Sequence, residues 1–119
     1  MPVLNNAQLD QLRNLDVSGE RQLIQKFLHA FLDSAKKYMR QLEQALDNND
    51  AEALYRAAHT FKSSAANIGA EDLSELLGRL EGFGKAGALV NARSLQETVQ
   101  QQYQLVINEV NEILENRDI

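Results

Sequence analysis

The stretch DNNDAEALYRAAHTFKSSAANIGAEDLSELLGRLE, residues 47–81, encodes two helices and the punctuation between them. Leu54, Ala58, Phe61, Ala65 and Ile68 recur at the three-and-four spacing of one buried stripe, which predicts a helix from about Ala51 to Ile68. Before it, the run Asp47-Asn48-Asn49-Asp50 ends one helix and caps the next, because short polar side chains satisfy the free N–H groups at a helix start. After it, Gly69 suits the left-handed turn that closes a helix. Leu73, Leu76, Leu77 and Leu80 then mark a further helix from about Glu71 to Phe83. So short a connection forces the two to run antiparallel.

The same pattern extends in both directions. Upstream, about Glu20 to Leu46, Leu23, Ile24, Phe27, Leu28, Phe31, Ala35, Tyr38, Leu42 and Leu46 form one apolar stripe. Ser18-Gly19 separates it from a short first helix, about Asn5 to Leu15, with Leu9, Leu12 and Leu15 on one side. Downstream, GFGKAG (residues 82–87) places three glycines in six residues and predicts an interruption of helicity. A last helix, about Leu89 to Asn116, turns Ala92, Leu95, Val99, Gln102, Val106, Val110 and Ile113 inward. The only proline is Pro2, and strong helix formers dominate. The expectation is an all-α fold, an up-and-down antiparallel four-helix bundle with a short N-terminal lid helix, forming a single domain over residues 1–119.

Composition narrows the function classes. The 119 residues are 44% hydrophobic and 24% charged, ordinary globular values, and no apolar run approaches the roughly 20 residues of a membrane span. The N-terminus lacks the layout of a secretory signal, so the cytoplasm is the default compartment and no direct membrane contact is expected. Without cysteine there is no disulfide, thiolate metal site or cysteine nucleophile. A net charge of -5, with Lys36, Lys37 and Arg40 too few to build a basic face, argues against nucleic acid and for a protein partner.

Candidate chemistry reduces to one residue. A di-metal carboxylate bundle needs Glu-x-x-His pairs, which are absent, and the two histidines stand 30 positions apart; no metal site is expected. Neither a G-x-S-x-G elbow nor a phosphate-binding glycine loop in its strand context occurs. His29 faces away from the apolar stripe and reads as a solvated surface residue. His59 also points outward, at roughly 140° from Leu54 on a helical wheel, with Tyr55, Lys62, Ser63 and Ala66 on the same outer arc. An imidazole with an unperturbed pKa of about 6.5 is largely neutral at pH 7, leaving a ring nitrogen free to attack phosphorus. Lys62, one turn on, could stabilise phosphoryl oxygens, while Ser63 and Ala66 leave the approach open. A surface histidine beside a surface lysine is also ordinary on an amphipathic helix, so geometry alone leaves both readings open.

The ordered segment from Ala58 to Glu81 goes further. His59, Phe61, Lys62, the small Ser63-Ser64-Ala65, then Asn67-Ile68-Gly69-Ala70 and a leucine-rich helix ending Leu80-Glu81 resemble the signature of histidine-containing phosphotransfer (HPt) domains of multistep two-component signalling. With the preceding long helix, the resemblance covers about Leu9 to Val110. It implies a monomeric phosphocarrier without kinase activity of its own. His59 would accept a phosphoryl group from the phospho-aspartate of a response-regulator receiver domain and pass it to another receiver. Receivers of a hybrid sensor histidine kinase are among the candidate partners. It also implies no cofactor on this chain, the Mg²⁺ belonging to the receiver. Two positions depart from the family pattern. Ser63 stands where many members have glycine, and Glu81 where several have a glutamine near the histidine. A carboxylate there could orient a ring N–H and, by like charge, repel a bound phosphoryl group. The alternative is a helical adaptor that keeps the docking surface but transfers nothing.

Overall fold

The computed structural model describes residues 21–115, which form four helices: α1 (Arg21–Asp47), α2 (Ala51–Asn67), α3 (Glu71–Ala86) and α4 (Leu89–Glu115). The expected short helix near Asn5–Leu15 lies outside the described residues. The chain packs α1 on α2, α2 on α3, α3 on α4 and α4 back on α1, closing the up-and-down bundle that the pattern predicts.

The three connections share one solution to the same problem, the unpaired carbonyls at a helix end. Asn49 (φ 53°), Gly69 (φ 80°) and Gly87 (φ 70°) each adopt the left-handed conformation. Around each, two N–H groups fold back onto the last turn: Asn49 to Leu46 and Asp50 to Ala45, Gly69 to Ala66 and Ala70 to Ala65, Gly87 to Gly84 and Ala88 to Phe83. Asp50 then starts α2 by accepting the Ala53 N–H at 3.0 Å. Arg93 at the start of α4 reaches across to the Leu46 carbonyl at 2.9 Å and also bonds Asn49, tying the fourth helix to the first turn.

The core runs the length of the bundle. Leu28, Leu54, Phe61, Ile68, Leu73, Leu77, Leu80, Val99, Val106 and Val110 are fully buried. Phe61 sits at its centre, between the rings of Tyr38 (5.6 Å) and Tyr103 (6.3 Å). Burying one such side chain is worth about 1.5–3 kcal/mol, so α2 is held from below and its outer face is free for other uses.

Three expectations need correction. Leu23 and Phe27, assigned to the stripe, are exposed at 54% and 36%, because each stands one residue, or about 100°, off the buried positions Ile24 and Leu28. Met39 is buried in the α1 stripe where the half-buried Tyr38 was expected. And GFGKAG does not interrupt α3: the helix continues through Gly82 and Gly84 to Ala86, and only Gly87 ends it. Gly84 is buried against α2, where a Cβ would lie 2.7 Å from the Tyr55 nitrogen and 3.0 Å from the Ala51 oxygen. It permits close helix packing.

Candidate functional site

The seam between α2 and α3 is the most extensive in the bundle, and the polar side chains of interest lie along its solvent flank. Gly84 draws α3 against the backbone of Tyr55 and Ala51, and the Ser74 hydroxyl donates to the Lys62 carbonyl at 3.1 Å. These contacts fix α3 against α2 on both sides of His59. Glu81, three residues before Gly84, consequently points across the seam at α2.

There its carboxylate makes two contacts at once. Oε2 lies 2.6 Å from His59 Nδ1, and Oε1 accepts from Lys62 Nζ at 2.5 Å. The carboxylate side chain is only 15% exposed, whereas His59 is 56% exposed and Lys62 36%. Hydrogen bonds with an ionised partner are the strong kind, and a carboxylate can only accept. The proton in the contact therefore belongs to His59 Nδ1, which donates to Glu81; in the neutral ring the lone pair is then on Nε2. The Lys62 ammonium, foremost, and the His59 ring hold the Glu81 carboxyl below the usual glutamate range, against burial, which pushes it up.

The sequence-derived candidates separate into those at the ring and those along the helix. Tyr55, one turn before His59, lays its ring nearly parallel to the imidazole, centroids 6.1 Å apart with 22° between planes. Lys62, one turn after, runs its stem across Gly78, with Cδ 3.4 Å from where a Cβ would stand, and delivers its ammonium to Glu81. Ser63 is exposed, and its hydroxyl donates to the His59 carbonyl at 3.4 Å. Ala66 is exposed two turns along, roughly 10 Å from His59 by helical rise, so it borders the site without touching it. His29 is exposed on α1. Ser74, Gly78 and Gly84 position the site and were not singled out from sequence. A glycine inside a helical pattern signals close packing only once the opposing helix is known.

Among the described residues, no three of His, Asp or Glu are placed to hold a metal ion. No helix there is long and apolar enough to cross a membrane. What the site presents is one exposed imidazole, its Nδ1 tied to a carboxylate, and a cation on that same carboxylate.

Comparison with known proteins identifies the family and the fold. The Hpt domain family model matches residues 26–115. The crystal structure of histidine-containing phosphotransfer protein B (HptB) from Pseudomonas aeruginosa PAO1 is similar at a TM-score of 0.86 and 29% sequence identity, covering 96% of each chain. No curated protein matches. Because the family match runs through all four helices and the structural match spans nearly the whole of both chains, this chain belongs to the Hpt domain family, the histidine phosphotransfer proteins of two-component signalling.

Proposed function

We propose that the chain carries a phosphoryl group on His59 Nε2, taking it from the phospho-aspartate of one receiver domain and giving it to another. Hpt domains are carriers rather than kinases and work with response-regulator receivers, so the question for this chain is which atoms do the carrying. The observation that supports the reading is the 2.6 Å contact between His59 Nδ1 and Glu81.

On attack, the Nε2 lone pair forms the N–P bond as the P–O bond to the receiver aspartate breaks, and that aspartate leaves as a carboxylate. The ring keeps its Nδ1 proton throughout and so becomes a phosphorylated imidazolium. Glu81 faces that proton and offsets the charge that develops, a group aimed in advance at the transition state. In the second transfer the acceptor aspartate attacks phosphorus, the N–P bond breaks, and imidazole leaves neutral with Nδ1–H still on Glu81. No proton has to be moved in either direction.

Lys62 supplies the remaining charge. Its ammonium sits on Glu81 in the free protein, and rotation about its flexible stem brings it to the equatorial oxygens of a phosphoryl group on Nε2. This exchange of partners answers the like-charge objection to a carboxylate at position 81, since the cation stands between the two anions. The chain needs no cofactor of its own, and the Mg²⁺ of the reaction belongs to the receiver.

The reading is tested by incubating the protein with phosphorylated receivers and following acid-labile, base-stable label. Wild type should take label, and His59→Gln should take none while keeping its helical content, because the side chain is outward and supports no core contact. A wild-type chain that binds a receiver but is never labelled would be an adaptor instead.

A further inference from the structure

Three of the five glycines in the described residues have a structural reason. Gly69 and Gly87 sit at positive φ and Gly84 meets the Tyr55 backbone, while at Gly78 a Cβ would make ordinary contact with the Lys62 stem. Gly82 has none. It lies in the interior of α3, it is exposed, and a Cβ there would meet nothing within 4 Å. A helix-interior glycine costs stability relative to alanine through backbone entropy, and no contact within the described fold offsets that cost.

Its position suggests what does. Gly82 directly follows Glu81, and the core side of α3 is taken by Leu77, Leu80 and Gly84. An exposed residue about 100° round from Glu81 therefore lies on the outward flank of the α2–α3 seam, the flank that also carries His59. Along the same seam a groove of about 580 Å³ opens between Ala51, Tyr55, Lys85 and Ala86, so the Tyr55 ring borders both the groove and the imidazole.

An aspartyl phosphate rides on a short side chain. To bring phosphorus within the roughly 3–3.5 Å of Nε2 that in-line attack requires, the partner's main chain must itself come close to the helix surface beside His59. A side chain projecting at position 82 would hold it off. We propose that Gly82 is the close-approach point at which a receiver domain's main chain crosses α3, with the Tyr55–Lys85 groove taking the adjoining receiver side chain. This rests on the carrier reading above.

The test compares wild type, Gly82→Ala, Gly82→Gln and Gly82→Arg for label transfer from one phosphorylated receiver over a range of receiver concentration. Gly82→Ala should raise the melting temperature, as a helix former at an open site, and should raise KM for the receiver by about threefold, less than either larger side chain. Gly82→Arg should raise KM for the receiver by about tenfold or more, Gly82→Gln by less, with kcat at saturating receiver largely kept. Gly82→Gln also keeps the test open if the arginine variant does not fold. An unchanged KM in both larger variants overturns the proposal while the carrier reading stands. So does a loss confined to kcat. A wild-type chain that takes no label from any receiver overturns both.

Discussion

At the scale of single residues, Glu81 does the most to explain the site, because one carboxylate ties His59 and Lys62 together. Its carboxyl is depressed in the folded protein, so folding favours the ionised form. That contribution is fully present above the ordinary glutamate pKa and is lost as pH falls through the lowered folded value. Glu81→Gln should therefore melt below wild type at neutral pH, and the two melting curves should converge in acid; a gap that persists under acid conditions would show that packing, not charge, sets the difference. Lys62→Ala should slow transfer by about tenfold, equivalent to about 1.4 kcal/mol of transition-state stabilisation, with little change in receiver affinity. Equal rates in the variant and wild type would remove the lysine from the chemistry. The outward placement of His59, Lys62 and Tyr55 was legible from the wheel alone, since it depends only on helical phase. Glu81 was legible only as a departure from a family pattern. Whether its carboxylate repels or organises depends on a cation 19 positions earlier in the chain turning to meet it.

At the scale of elements, the informative case is α3. Three glycines in six residues suggest a break, yet the helix runs to Ala86 because its glycines serve different ends. Gly84 buries against α2, and Gly87 alone adopts the left-handed turn. Local propensity reports the average cost of glycine, and a helix packed on two neighbours can absorb it. Gly84→Ala should destabilise the protein by about 1–3 kcal/mol despite the better helix former, because a Cβ at 2.7 Å from the Tyr55 nitrogen must push the helices apart. The same shift would draw the Glu81 carboxylate, carried on the same helix as Gly84, away from His59 and Lys62. A variant as stable as wild type in denaturant melts would show that the seam has room to yield. The caps were easier to read: Asp50 and Gly69 act where the sequence places them, since capping chemistry depends on a few neighbouring residues.

At the scale of the whole molecule, the bundle turns its apolar residues inward and presents the His59–Glu81–Lys62 cluster on one outer seam. The number, type and order of the long helices follow from periodicity and connection length, and the described residues bear them out. Exact phase at the start of α1 did not follow, because Leu23 and Phe27 are as apolar as their buried neighbours and differ only by a fraction of a turn. The site depends on two helices meeting closely enough for a side chain of one to organise a side chain of the other. Helix pairing of that kind is a tertiary fact that no single helix encodes. On the proposed mechanism, Glu81 keeps the proton on Nδ1 of His59 and leaves Nε2 to carry phosphorus. Nitrogen–phosphorus coupling measured by NMR, on ¹⁵N-histidine-labelled protein phosphorylated by a receiver, tests it most directly. A single ring, that of His59, should be phosphorylated, with phosphorus coupled to Nε2; coupling to Nδ1, or to a nitrogen of His29, would rule this assignment out.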